Sequence, residues 1–334
     1  MGQSIRRASR TCSLVLLLAH AARAQLVGAA ASAEQMRSGT EEIRARLERI
    51  VPDLMKDGDV PGLSIALVRG GALVWHRGFG VKNAKTLEPV TEETVFEAAS
   101  LGKPVFAYAV MKLVDARKLD LDTPLNHYLP GNYEVGADPR LDRMTARRVL
   151  SHTTGLPNWR SGALTIHFNP GERFSYSGEG YVYLSRVVER ITGETINAFM
   201  TRTVFEPLGM KSSSYEWRDS YTASKTSYHN TRGEPITRNN ASPGNVAATL
   251  HTTALDYGRF LVAMLNGVGL TGIAADLMLT PAVSVREGGA TTIERPEAKP
   301  FPNVQWALVG ESRRPRTDLP CFTGGTTATR KHTL

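Results

Sequence analysis

Apolar positions recur along the chain with two different periods. Ile43, Leu47, Ile50, Val51 and Leu54 are spaced by three and four, an apolar stripe on one helix face. Thr40 stands ahead of them as an N-cap, with Glu41 and Glu42 in the first turn, and Lys56-Asp57-Gly58-Asp59 ends the helix. The period then changes. Pro61-Gly62 leads into Leu63 to Val68, a buried strand by its branched residues. Gly70-Gly71 reads as a hairpin turn and Ala72 to Gly78 as the returning strand. Beyond Leu119 the turn-rich run L-D-L-D-T-P-L-N-H opens a helical region. Met144 to Leu150 is a short helix, Tyr181 to Ile191 a longer one ended by Gly193, and Ile196–Met200 and Val204–Met210 continue it. Tyr221 to Val246 reads as loop. Thr252 to Gly267 is amphipathic through Leu255, Phe260, Leu261, Met264 and Leu265.

The stretch from Phe96 to Val114, F-E-A-A-S-L-G-K-P-V-F-A-Y-A-V-M-K-L-V, sits between hairpin and helical region and carries the first chemistry. Ser100 precedes an apolar helical pattern and Lys103 follows three residues later, so the two share a face. A serine hydroxyl needs a base to take its proton. A lysine desolvated at a buried helix start has its pKa lowered toward that task. The same four letters also describe a capping serine beside a solvated lysine, and the surroundings must decide.

Two further residues stand out. His152, in Ser151-His152-Thr153-Thr154-Gly155-Leu156-Pro157, could be a base; a loop histidine tying backbone at a helix end is the favoured reading. Tyr176 lies in a tight Ser/Gly loop, F-S-Y-S-G-E-G-Y, just before a helix. An isolated tyrosine is usually packing, but one held beside a lysine can ionise and act as a general base.

Composition narrows the class. The 334 residues are 41% hydrophobic and 22% charged, ordinary for a globular protein. The formal charge of +8 collects at the ends, in Arg6, Arg7 and Arg10 and in Arg313, Arg314, Arg316, Arg330 and Lys331. The body is near balanced and has no basic run with interleaved aromatics, which argues against nucleic acid. The arginines at the start precede a short apolar run, Leu14 to Ala22, and Ala22-Arg23-Ala24. This is the pattern of a signal peptide over 1–24, cleaved after Ala24, and predicts export to the periplasm or the extracellular space. The run is too short for a stable membrane span. Residues 25–39, rich in Ala, Ser and Gly, read as a flexible arm. Cys12 and Cys321 are the two cysteines, so the body has no disulfide framework. The histidines are scattered, without H-E-x-x-H or a Cys/His cluster, and neither a metal nor a cofactor is expected.

Several blocks in fixed order are recognisable together: P-G-L-S-I-A-L-V-R-G-G, V-F-E-A-A-S-L-G-K, K-L-D-L-D-T-P-L, L-S-H-T-T-G-L-P-N-W, P-G-E-R-F-S-Y-S-G-E-G-Y and V-F-E-P-L-G-M. From Thr40 to Leu308 the chain resembles the serine β-lactamase-related family, which includes class C β-lactamases, D-aminopeptidases, penicillin-binding DD-peptidases and β-lactamase-like esterases. The resemblance implies an α/β fold of the α+β type, β-lactamase/transpeptidase-like. An antiparallel sheet is flanked by helices, with an all-helical region inserted over about residues 115–265. It implies Ser100 as the acylated nucleophile, Lys103 as its activator and Tyr176 as the general base, with substrate contacts at Gly178 and Trp159. The Ser100 backbone N–H would be one oxyanion donor. Where the family usually has Asn, whose amide touches a substrate acylamino group, this chain has Gly178. That favours an esterase or peptidase-like amidase over a true β-lactamase. The substrate is a small molecule or peptide, and the resemblance leaves the oligomeric state open.

The resemblance stops at Trp306-Ala307-Leu308. The family's third motif, of K-T-G or H-x-G type, is expected next, but 309–334 reads as an aberrant tail with no strand in it. Thr323-Gly324, with Phe322 in the lysine place, is at best a degenerate form. In the frame starting one nucleotide earlier, the codons of Val309 to Glu311 permit G-W-G and those of Thr317 to Phe322 permit D-G-P-A-L-F. Those of Thr323 to Ala328 permit H-W-G-D-N-G, and Lys331-His332-Thr333 permits K-A-Y. The expectation is one nucleotide missing near the Leu308 codon. It carries two corollaries: missing C-terminal strands, which leave the Leu63–Gly78 hairpin with an open edge, and a lost second oxyanion donor. A truncated pseudoenzyme that only binds ligand is the corresponding alternative.

Overall fold

A computed structural model describes residues 34–313, save 132, 231, 238–242 and 288–291, together with 321–322. The signal-peptide pattern and most of the arm lie outside the described residues. Residues 34–57 form helix α1 within a unit of their own. It begins inside the segment read as an arm, because Glu34-Gln35-Met36-Arg37 are good helix formers. Thr40 is therefore not a cap. It lies one turn in, and its hydroxyl donates to the Met36 carbonyl at 2.7 Å. On the outer face Arg44 reaches both Glu41 (3.4 Å) and Glu48 (3.3 Å).

The second unit starts at Gly58. Strands β1 (Gly62–Arg69) and β2 (Ala72–Gly80) form the expected hairpin, with Gly70 and Gly71 both at positive φ in its turn. Strand β3 (Phe96–Ala99) leads into α2 (Gly102–Asp115). The chain then passes through α3 (Leu125–Tyr128), α4 (Ala146–Leu150), α5 (Gly178–Thr192) and α6 (Ile196–Met200), which runs on into a π-turn over Thr201–Phe205. After α7 (Tyr221–Ser224) a small hairpin of β4 (Tyr228–His229) and β5 (Pro235–Ile236) interrupts the stretch read as loop. Strand β6 (Leu250–Thr252) returns to pair with β3, and α8 (Ala254–Leu265) and α9 (Gly272–Leu279) follow. Strands β7 (Val283–Arg286), β8 (Pro300–Trp306), β9 (Glu311–Arg313) and β10 (Cys321–Phe322) complete an antiparallel sheet in the order β10-β9-β8-β7.

The start of the tail thus departs from expectation. Glu311 to Arg313 is a strand although its side chains carry no strand pattern. The reason is backbone chemistry. The Ala307 N–H donates to the Gly310 carbonyl at 2.8 Å, and this turn brings the chain back along β8, pairing Trp306 with Glu311 and Val304 with Arg313. Unpaired N–H and C=O groups on β8 accept any extended segment delivered to them. The β1–β2 hairpin, by contrast, pairs with no other strand among the described residues.

Each helix has a local cause. Thr145, Ser177 and Thr253 cap α4, α5 and α8 through their hydroxyl oxygens, and Gly193 ends α5 in the left-handed region at φ 71°. Helix α8 packs on β1 and β2. A Cβ at Gly258 would stand 2.8 Å from Leu73 Cδ1 and 3.1 Å from Ala66 Cβ, so the helix approaches this closely only because position 258 has no side chain. Helix α2 is buried nearly all round, from Val105 and Phe106 to Met111 and Leu113, as its uninterrupted apolar run requires. Helix α5 lies against α3, α4 and α6, with Tyr181 reaching Phe106 of α2.

Burial at β6 has a consequence for acid stability. His251 is enclosed beside Tyr221 and Trp217, and its pKa falls to about 4, first through burial and then through the charge of Lys225. An unfolded histidine takes up its proton near pH 6.5 while the folded one waits until about 4. Protons therefore favour the unfolded state across that window, and stability present above it is lost as pH falls. Thermal melting should drop steadily between pH 6.5 and 4. His251→Phe, which keeps a ring between its neighbours, should make the slope shallower; an unchanged slope would remove His251 from the account.

Candidate active site

The nucleophile candidate stands at a strained junction. Ala99 closes β3 at φ 45°, a left-handed value that a residue with a Cβ rarely adopts, and a bulge separates it from Glu97. The turn that follows exposes Ser100 and starts α2. Two phenols, Tyr215 buried and Tyr257 partly so, pin this turn from behind. The Tyr215 hydroxyl donates to the Gly102 carbonyl at 2.5 Å, and the Tyr257 hydroxyl donates to that of Leu101 at 3.3 Å.

Lys103 enters the core at the first turn of α2 and is only 1% exposed. Its Nζ donates to Ser100 Oγ at 3.1 Å and to the Ala247 carbonyl at 2.7 Å, and Ser100 Oγ donates to the same carbonyl at 3.3 Å. The capping and solvated-lysine reading is excluded by this burial. No carboxylate pairs with the amine among the described residues; the rings of Tyr176 and Tyr181 lie 4.7 and 5.8 Å from it instead. Desolvation alone lowers its pKa to about 7, so a large share of the amine is neutral near neutral pH and able to accept a proton.

Tyr176 meets the pair from the loop before α5, its ring 4.7 Å from Lys103 Nζ. Its pKa is raised: burial pushes it up, and the nearby Ser100 hydroxyl offsets only part of that. The expectation of an ionised phenol is corrected here. No cation bonds the hydroxyl among the described residues, and Lys103 faces the ring, so Tyr176 rests protonated and Lys103 is the group poised near neutrality.

The loop holding Tyr176 is tied on both sides. The Thr292 hydroxyl donates to the Phe174 carbonyl (2.6 Å) and its N–H to Ser175 Oγ (3.0 Å). The Ser177 hydroxyl donates to the Pro157 carbonyl (2.9 Å). His152 lies behind the loop, fully buried. Its Nδ1 accepts the Ser177 N–H at 3.0 Å, and its Nε2 bonds nothing among the described residues. The backbone-tying reading of His152 describes this geometry; neither ring nitrogen bonds Ser100 or Lys103.

Gly178 and Trp159 are brought together. The Gly178 N–H donates to the carbonyl of Asn158 (3.0 Å) and to its Oδ1 (3.1 Å), while the Arg160 N–H donates to Glu179 Oε1 (3.1 Å). These bonds sew the segment 158–160 to the start of α5. A Cβ at Gly178 would lie 2.7 Å from the Asn158 carbonyl oxygen and 2.7 Å from Trp159 Cη2. The glycine is more than a missing amide: the indole occupies the space an asparagine would need. Of the two, Trp159 offers surface to a ligand, at 47% exposed, whereas Gly178 is buried.

Ala247, Tyr215, Tyr257 and Thr292 were not singled out in the sequence. The first acts through its backbone, and the others lie in segments with no motif around them.

Comparison with known proteins bears on the family and the fold. Esterase EstB of Burkholderia gladioli is 27% identical over 224 residues, covering 58% of this chain and 57% of that protein. Protein flp of Staphylococcus aureus is 23% identical over 196 residues, covering 53% of this chain and 39% of its own length. The chain thus spans less than two thirds of either relative. Among solved structures, a D-alanine carboxypeptidase from Burkholderia cenocepacia superposes with a TM-score of 0.65 at 20% identity, over 82% of this chain and 75% of that one. An octameric penicillin-binding protein homologue from Pyrococcus abyssi gives 0.66 at 21% identity, over 81% and 65%. These likenesses carry the β-lactamase/transpeptidase-like fold. The profile of the Beta-lactamase family matches residues 47–305, a span that holds Ser100, Lys103 and Tyr176 and ends within β8, and the chain belongs to that family.

Proposed function

We propose that the protein is a serine hydrolase that cleaves esters of small molecules through an acyl-enzyme on Ser100. The observation that carries this reading is the buried Lys103 amine, 3.1 Å from Ser100 Oγ and lowered to about 7. In the neutral form it takes the Ser100 proton as Oγ attacks the ester carbonyl. The Ser100 N–H, at the start of the α2 turn, faces the oxygen that becomes negative. The Tyr176 phenol donates its proton to the departing alkoxide. In the second half the phenolate takes a proton from water as the hydroxide attacks the acyl-enzyme, the Lys103 ammonium returns its proton to Ser100 Oγ as that oxygen leaves, and the acid is released.

Ester is preferred to β-lactam because of position 178. A side-chain amide there would bind an acylamino group, but Gly178 has none and Trp159 fills its place with an apolar surface. An unpaired acylamido group costs roughly tenfold to a hundredfold in binding. A relative that bears the name esterase agrees with this choice. The test compares a short-chain p-nitrophenyl ester with a chromogenic cephalosporin. The ester should be turned over with a kcat/KM on the order of a hundredfold higher. Comparable values would instead make the protein a β-lactamase.

A further inference from the structure

We propose that His152 is a positioning residue, one whose backbone and ring together grip the three consecutive residues that carry the Tyr176 hydroxyl to Ser100. The inference rests on the roles of Ser100, Lys103 and Tyr176 proposed above. The grip has three parts. The His152 carbonyl accepts the Ser175 N–H at 2.8 Å. Its Nδ1 accepts the Ser177 N–H at 3.0 Å. Its ring stacks on Tyr176 between these two bonds, with centroids 4.2 Å apart and planes 26° apart. One residue thus fixes the backbone on both sides of Tyr176 and the plane of its ring.

The arrangement is costly, which argues against incidental packing. His152 sits at φ 55°, a left-handed value for a residue with a Cβ. With Nδ1 accepting, the neutral ring carries its proton on Nε2, and that N–H is buried without an oxygen or nitrogen partner among the described residues. Around it are aromatic rings: Trp306 at 4.8 Å and edge-on, Tyr181 at 5.1 Å and Phe174 at 5.9 Å. Trp306 is itself anchored, its Nε1 donating to the Leu150 carbonyl at 3.1 Å, and it meets Tyr176 edge-on at 5.9 Å. An apolar side chain would fill this pocket without an orphaned N–H. What it could not supply is an acceptor for Ser177 beside a flat face for Tyr176. Lys103 Nζ also lies over the phenol ring, 4.7 Å from its centroid, so a swing of the loop or of the Tyr176 side chain about χ1 would carry the hydroxyl away from Ser100 and uncover the desolvated amine.

His152→Asn and His152→Phe divide the two functions. Asparagine tolerates the left-handed backbone and places Oδ1 where Nδ1 stood, keeping the bond to Ser177. Phenylalanine keeps the stack and leaves the Ser177 N–H unpaired. Acylation by a fluorophosphonate and turnover of a p-nitrophenyl ester are measured for both, for Tyr176→Phe, and for each double variant with Tyr176→Phe. The expected result is a loss in kcat on the order of tenfold to a hundredfold for His152→Phe, with KM within about threefold. His152→Asn should recover most of that loss. Added to Tyr176→Phe, either change should cost less than about twofold, because a residue acting through Tyr176 has nothing left to position. Full additivity in the double variants, a loss carried by KM, or an asparagine variant no better than phenylalanine overturns the proposal. So does an asparagine variant that fails to fold, since the ring would then serve stability. Tyr176→Phe with wild-type rates would be a different failure, that of the catalytic reading itself.

Discussion

Ser100→Ala is expected to abolish both covalent labelling by a fluorophosphonate and ester turnover, while leaving the protein folded. The side chain lost is an exposed hydroxyl whose bonds are to Lys103 and to the Ala247 carbonyl. The residue is exposed, so stability should change by about 0.5 kcal/mol or less. Lys103 keeps its bond to the Ala247 carbonyl, so its buried amine is not left without a partner. Chemistry is affected wholly, because no covalent intermediate forms without an oxygen nucleophile at this place. Intact-mass spectrometry reads the result directly, as the presence or absence of the probe's added mass. A variant that labels as fast as the wild type would mean the nucleophile lies elsewhere.

Lys103→Met should lower the acylation rate by on the order of 10³ and also change its dependence on pH. Methionine fills nearly the same volume in the α2 core, so the loss is chemical and not a cavity. In the wild type the neutral amine is the working form, and its pKa stands at about 7. Below that value each unit of pH removes about nine tenths of the remaining neutral amine. The sign follows: kcat/KM should rise about tenfold per unit up to pH 7 and level off above it, a change of about a hundredfold between pH 5 and 8. Lys103→Met should show a flat, low profile over the same range. Melting curves at each pH separate this limb from the acid loss expected from His251. A wild-type profile already flat at pH 5 would take Lys103 out of the base's role.

Where side chains signal through spacing, the sequence was enough. Ser100 and Lys103 meet because a spacing of three brings them together across the turn that starts α2, and Gly70-Gly71 closes a hairpin because both need positive φ. Tyr176 was legible from its tight loop, though not its protonation. That depends on burial by residues far away in sequence, and burial raised its pKa where a neighbouring lysine alone would have lowered it. Strands β3 and β6 were missed because four and three residues are too few to show alternation. Their partners lie about 150 positions apart, so the pairing is a tertiary fact. Gly178 was legible as a missing amide. That Trp159 occupies the same space could not be read, since it arises from the Gly178 and Glu179 N–H groups both donating to the Asn158 carbonyl, backbone bonds that no residue type announces. The strand at Glu311 to Arg313 is the opposite case: its side chains argue against it, and the exposed backbone of β8 recruits it regardless.

The Ala247 carbonyl, bonded to both Lys103 Nζ and Ser100 Oγ, has a consequence for how this site appears to genetics. It is a main-chain atom, present whatever residue is encoded at 247. An alanine scan passes over the position, because alanine is already there. Codon changes reach the carbonyl only at second hand, through the groups that aim it: the Asn245 Oδ1 that accepts the Ala247 N–H at 2.8 Å, and the Thr249 hydroxyl oxygen that accepts the Asn245 N–H at 2.8 Å. A third partner of the reacting pair is thus written into the chain as a conformation and not as a residue. Selection acting on it would leave its mark on Asn245 and Thr249, two polar side chains that themselves bond neither Ser100 nor Lys103.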